Sequence, residues 1–260
     1  SEDVLISKCV VDIDDDAICI KTKSCIPVRN VLIDQCILSS KWNAFKIGTE
    51  TYADISNIKF TNSIIKPSDS IGHFVNEYSG TGVSILSTDG AHVKDITIQN
   101  IHIDGYMSPI FIRLGSRGNA FSSGKSKPIG SISDILIEGL TARNSRDYTS
   151  SISGLNGHPL KNVTLRNVII DVKGGMVRGD FMDKVPEPEK LTPMPAMFGG
   201  NFPASGLYCR NVDNLLLDRV FLNIVQKDIR PSHVFENVSL GVDKTLYVNG
   251  QAYVLGGEKK

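Results

Sequence analysis

The chain has 260 residues, enough for one or two domains with a substantial core. Its 28 Lys and Arg balance 28 Asp and Glu, which excludes a polybasic nucleic-acid surface and an acidic tail. Apolar runs are only a few residues long, which excludes a transmembrane helix, and the first residues show no signal-peptide pattern.

Short alternating pieces recur along the chain. They begin at Asp3, Asn30, Asn57, Asp95, Asp134, Asn162 and Asn214, as in Asn30-Val-Leu-Ile-Asp-Gln-Cys36 and Asn162-Val-Thr-Leu-Arg-Asn-Val168. The starts are 27, 27, 38, 39, 28 and 52 residues apart. Each piece has the period-two pattern and β-branched residues of a half-buried strand, and none carries a helical stripe. Repeats at such intervals predict an all-β right-handed parallel β-helix of about seven coils, in which inward side chains stack into one core. The long intervals are coils that carry a loop. Lys8, Gln35, Asn62, Asn100 and Asn167 then share one column, read as an amide-rich turn ladder with a structural role.

A second strand per coil aligns in the same way. Asp16-Ala-Ile-Cys-Ile-Lys-Thr22 precedes Asn43-Ala-Phe-Lys-Ile-Gly-Thr49 by 27 residues, and residues 82–87 and 109–114 continue the series. Ile18, Phe45, Val83 and Ile110 face inward. Cys19, Lys46, Ser84 and Phe111 form one outward column, and Lys21, Gly48, Leu86 and Arg113 the next, on a sheet predicted to face solvent. Residues 66–81 and 115–130 read as loops, and residues 173–206, with five of the eleven prolines, as an irregular excursion. The whole of 1–260 reads as one domain. Because Ser1-Glu-Asp-Val enters directly into a strand, the solenoid is expected to continue upstream.

Asp12, Asp14, Asp15 and Asp16 crowd into five residues between apolar strands. Clustered carboxylates repel one another, so stability alone does not favour them. A solvated turn or a calcium site would account for them. So would the carboxylate pair of a glycosidase, in which an acid protonates the leaving oxygen and a base activates water. The five cysteines, Cys9, Cys19, Cys25, Cys36 and Cys209, are too irregular for a disulfide framework or a zinc site, and their redox state is open.

Cys9-Val-Val-Asp-Ile-Asp-Asp-Asp-Ala-Ile-Cys-Ile-Lys21 resembles a segment of glycoside hydrolase family 28, the polygalacturonase-like enzymes. There a paired Asp-Asp follows a Cys-containing strand and precedes an Ala-Ile-containing one. The likeness extends to Ile110-Phe-Ile-Arg-Leu-Gly-Ser-Arg-Gly118, Gly154-Leu-Asn-Gly-His-Pro159 and Gly206-Leu-Tyr208, and is closest to a bacterial branch, with this chain as the C-terminal part. It implies a secreted or periplasmic enzyme that hydrolyses a pectin-related polysaccharide or oligosaccharide with inversion, without cofactor or metal. It implies Asp15 as general acid and Asp16 as a water-activating carboxylate. A third carboxylate would stand one coil upstream of this chain, which alone would then be nearly inactive. Two departures stand out. Asn43 replaces the family's histidine, and Ser84-Ile85-Leu86 replaces an Arg-Ile-Lys whose cations hold a substrate carboxylate.

Asn43, Lys46 and Arg113 are the candidate substrate-binding residues, Arg113 lying three coils, roughly 14 Å, from Asp16. Each cation could equally be a solvated surface charge. Trp42 could face a sugar or be buried. The histidines, His73, His92, His102, His158 and His233, show no metal spacing, and His158 reads as a turn residue. Two rival functions use the same fold. A polysaccharide lyase would take the acidic turn as a calcium site and Lys46 as base. In a non-catalytic carbohydrate-binding or adhesin-like β-helix the acidic turn would merely bind water or calcium.

Overall fold

At two recurring offsets in the coils the backbone turns left-handed, and these residues make the corners. Asp3, Asn30, Asn57, Asp95, Asp134, Asn162 and Asn214 all have φ between 53° and 63°. Five residues on, Lys8, Gln35, Asn62, Asn100, Gly139, Asn167 and Arg219 have φ between 50° and 65°. Left-handed backbone strains most side chains, and Asn and Asp adopt it most readily after glycine. The first of these columns is also tied rung to rung through its side chains. Asn30 Nδ2 donates to Asp3 Oδ1 at 2.8 Å, Asn57 to Asn30 at 2.9 Å, Asn162 to Asp134 at 2.8 Å and Asn214 to Asn162 at 2.9 Å. The amide ladder thus runs chiefly along the first of the two columns. In the second column it is sparser, as in Asn100 to Asn62 at 3.0 Å.

The computed structural model describes residues 1–68, 80–146, 148–179, 181, 185 and 202–255. In chain order the strands are β1 (Glu2–Ser7), β2 (Val10–Ile13), β3 (Ile18–Thr22), β4 (Val28–Asp34), β5 (Ile37–Ser40), β6 (Asn43–Thr51), β7 (Ile55–Lys66) and β8 (Thr81–Ser87). They continue with β9 (His92–Asp104), β10 (Ser108–Leu114), β11 (Ser131–Ser145), β12 (Ser150–Ser153), β13 (Leu160–Gly174), β14 (Leu207–Gln226), β15 (His233–Val248) and β16 (Gln251–Val254). One face stacks β1-β4-β7-β9-β11-β13-β14, and a second stacks β3-β6-β8-β10-β12-β14. β2 and β5 add a short third face that ends on β7. These neighbours pair in parallel, so the sheet is open and curled, the general architecture of a single-stranded right-handed parallel β-helix. Among the described residues the one helical turn is Phe121–Ser123, and no helix is long and apolar enough to cross a membrane.

The first face adds one coil to the predicted seven. β15 pairs in parallel with β14, with several register shifts, and β16 then folds back on β15 antiparallel. The strand signal Asn237-Val-Ser-Leu240 is broken at once by Gly241, which is why it escaped notice in the sequence.

The inward stack agrees with the sequence. Val4, Val31, Ile58, Ile96, Ile135, Val163 and Leu215 are register partners in turn. On the second face Ile18, Phe45, Val83 and Ile110 pair likewise.

The outward columns of the second face also hold their register; Lys21 on β3 faces solvent as expected and Cys19 is half-buried, but from β6 onward the columns are covered. Ser84, Leu86, Phe111 and Tyr208 are fully buried, and Arg113 is only 1% exposed. The cover comes from the excursion between β13 and β14: Val185, Phe202 and Ala204 pack on Leu86, Phe111 and Tyr208. Phe202 stacks on Tyr208 at 5.2 Å between ring centroids, and Arg210 Nη1 donates to the Val185 carbonyl at 2.7 Å. A row of Ser, Leu, Phe and Tyr on an outer sheet face is apolar enough to demand such a cover. Four of the excursion's prolines, Pro186, Pro188, Pro193 and Pro195, and most of the loop 66–81 lie outside the described residues.

The loop 115–130 is clasped by Asp89, whose buried carboxylate accepts from Arg117 Nη2 at 2.6 Å and Nε at 3.1 Å, and from the backbone N–H groups of Thr51 and Asn119. Because Ile58 is fully buried between Val31 and Ile96, Ile58→Ala is expected to destabilise the protein by about 2–5 kcal/mol, read by urea unfolding.

Candidate active site

The acidic turn connects β2 to β3, and its shape follows from its own hydrogen bonds. The Asp16 N–H donates to Asp15 Oδ1 at 2.7 Å, a local side-chain bond that turns the chain before β3 begins. The next rung holds it from below. Ser40 Oγ donates to the Asp15 carbonyl at 2.7 Å and accepts the Trp42 N–H at 2.8 Å. Ser40 in turn is gripped by Tyr106, buried in the core, whose hydroxyl accepts the Ser40 N–H at 3.0 Å and donates to the Ser40 carbonyl at 3.1 Å. A core tyrosine thus sets the height of the turn.

The four aspartates have different surroundings. Asp15 and Asp12 are exposed, and Asp12 accepts from Ser68 Oγ. Asp14 is half-buried, with Lys41 Nζ at 3.6 Å. The Asp16 side chain is only 10% exposed and has a partner on each oxygen. Asn43 Nδ2 donates to Oδ1 at 2.6 Å and Lys46 Nζ to Oδ2 at 2.7 Å. Among the described residues, no three His, Cys, Asp or Glu side chains converge as metal ligands would.

The 27-residue offset therefore does put Asp16 beside Asn43 and Lys46, but in a relation the sequence did not suggest. Both partners are buried, Lys46 at 5% exposure, and both direct their donors at Asp16, where exposed substrate contacts were expected. The correction for Arg113 is larger. It stands three rungs from Asp16 as expected, since β3, β6, β8 and β10 are successive neighbours, yet it lies beneath the covered face and not in an open groove. Trp42 is half-buried at the rim of the turn. His158 closes a tight turn by exchanging backbone hydrogen bonds with Leu155, the role read from its sequence, while His73 lies outside the described residues.

Cys19 completes the surroundings of Asp16. Its thiol donates to the Gly48 carbonyl at 2.9 Å, and burial, with the Asp16 carboxylate nearby, pushes it up to about 12. It stays protonated at neutral pH and is no nucleophile. Tyr106 and Ser40 are the residues the sequence gave no reason to single out. Their partners lie 66 and 25 residues away, and no local pattern marks such contacts.

No family model, curated protein or solved structure matches this chain. The likeness to family 28 rests on the residues quoted above, and the structure adds the β-helix. That fold is compatible with carbohydrate-active enzymes and with binders alike.

Removing Lys46 would leave the Asp16 carboxylate inside the sheet without its counter-charge. Lys46→Met is expected to cost about 3–5 kcal/mol in thermal or urea unfolding. The double variant Lys46→Met with Asp16→Asn is expected to recover most of that loss, because no charge then remains buried.

Proposed function

We propose that this β-helix is a glycoside hydrolase of the family 28 type, acting on a pectin-related polysaccharide or oligosaccharide outside the cytoplasm. The observation that carries the proposal is the division of labour between adjacent carboxylates: Asp15 open to solvent, Asp16 recessed and held by Asn43 and Lys46. A glycosidase needs one carboxyl that reaches the leaving oxygen and one that stays fixed beside the attacking water.

In this mechanism Asp15 donates its proton to the glycosidic oxygen. The Asp16 N–H on Asp15 Oδ1 fixes one oxygen and leaves Oδ2 for the proton. Asp16 is the fixed carboxylate. Each of its oxygens accepts a bond from protein, and a carboxylate oxygen can accept a further one from water. Asn43 and Lys46 are positioning residues here, and inversion at the anomeric carbon follows from the family likeness. The lyase alternative loses its base in this geometry, since Lys46 is buried and bound to Asp16 at 2.7 Å.

The substrate is expected to differ from plain polygalacturonate. Where the family places two cations for the sugar carboxylate, this chain has Ser84 and Leu86, both fully buried, Leu86 in the apolar cluster with Phe202.

With the full-length protein, Asp15→Asn is expected to lower reducing-end release from a rhamnose-containing pectin fragment by ~10²–10⁴-fold while leaving folding intact. Polygalacturonate is expected to be cleaved far more slowly than that fragment. Equal rates for the two proteins would remove Asp15 from catalysis. Binding of the oligosaccharide without new reducing ends would mark a non-catalytic binder.

A further inference from the structure

Cys9 and Cys36 occupy the same place in successive coils. Each directly follows a left-handed corner residue, Lys8 and Gln35, both with φ of 55°. The pairs on either side, Ser7 with Asp34 and Val10 with Ile37, are in register, and the Ile37 N–H donates to the Cys9 carbonyl at 2.9 Å. The two cysteines are therefore direct neighbours across one rung step. That step is about 4.8 Å, inside the ~4.4–6.8 Å span of Cα atoms that a disulfide bridges. Both side chains turn toward the core, Cys36 buried within it and Cys9 partly buried against it.

We propose that Cys9 and Cys36 are a rung-to-rung disulfide site, closed by a low-molecular-weight disulfide of the glutathione type, which staples the coil of the acidic turn to the next.

The chemistry balances in two exchanges. The Cys9 thiolate attacks one sulfur of the small disulfide, whose other half leaves as a thiolate and takes up a proton. The Cys36 thiolate then attacks the Cys9 sulfur, forms the Cys9–Cys36 bond and expels the second small thiol. Two protein thiols are oxidised and one small disulfide is reduced to two thiols. Cys9, part-exposed, is the entry point. Burial pushes the Cys36 thiol up, with Cys9 close enough to act on it as a hydrogen-bond partner, so Cys36 is the resolving group. The other cysteines lack such a neighbour in register. Cys19 pairs with Lys46, Cys209 with Ile152 and Phe235, and Cys25 lies exposed between β3 and β4.

The staple would act on β1 and β2, and β2 leads directly into Asp12–Asp16. A bond closing this 27-residue loop restrains the opened chain and ties the coil of the acidic turn to the next.

The test is to incubate the reduced protein with oxidised glutathione, then titrate thiols in denaturant and map peptides without reduction. The expected result is a fall from five thiols to three, a mass loss of about 2 Da, a Cys9–Cys36 peptide, and amide exchange in β1 and β2 slowed about tenfold or more. Cys36→Ser is expected to trap glutathione on Cys9. Serine fits this column, because Ser63 fills the next rung and accepts the Cys36 N–H at 2.9 Å. Five titratable thiols after oxidation, a bridge that joins Cys19 or Cys25 to either residue, or unchanged exchange in β1 and β2 would each overturn the proposal.

Discussion

Parallel stacking of one coil on the next governs this molecule, and it depends on the chain turning a corner at the same place every time. A strand that runs straight leaves the solenoid, so the corner residue must adopt positive φ at a fixed offset. Asn and Asp do so at low cost, and their side chains bond the equivalent residue one rung away. The ladder from Asp3 through Asn30 to Asn57 is this device, and Gly139 serves the second column by having no side chain to strain. With the corners fixed, inward residues have no choice of neighbour. Val31 meets Ile58, and Ile58 meets Ile96, whatever the loops between them do.

The same constraint delivers the candidate site. Asp16 meets Asn43 because they share an offset, and Lys46 reaches back one rung from its outward position to the second carboxylate oxygen. A buried ion pair of this kind adds little net stability, because both charges lose their hydration. Its value is geometric, since a carboxylate held on both oxygens has one orientation. Asp15, with its backbone carbonyl anchored through Ser40 to Tyr106, has a fixed base and an open tip.

The fold was therefore legible in the sequence to the extent that it is periodic. The polar residue opening each strand, the alternation behind it and the 27-residue interval are local patterns, and they gave the register of both faces. The eighth coil was missed where Gly241 interrupts the alternation. The covered face was missed for a different reason. Ser84, Leu86, Phe111 and Arg113 alternate with core residues just as solvent-facing positions do, and periodicity cannot tell water from a loop folded over the sheet. The apolar character of Leu86, Phe111 and Tyr208 was the available hint. In the site, the neighbours of Asp16 were legible from the offset, but their roles were not. An exposed lysine and a buried one look alike in sequence, and burial turned Lys46 from a surface cation into the partner of Asp16.

That cover bears on where a polysaccharide can lie. In an open solenoid, a long chain could run along the outward columns from the acidic turn past Ser84 to Arg113. Here Val185, Phe202 and Ala204 occupy the far part of that track, with Arg210 bonded to the Val185 carbonyl. A sugar chain following the axis would have to displace a stacked Phe202–Tyr208 pair, losing about 0.5–1.5 kcal/mol for the ring contact before any apolar area is counted. Beside Asp15, among the described residues, stand the exposed Asp12, bonded by Ser68, and the half-buried Trp42. On the proposed reading, a substrate engaged there would be recognised by residues beside the carboxylates. On that reading, a short or branched chain would meet that geometry better than a long unbranched one, in keeping with Ser84 and Leu86 standing where the family has its paired cations.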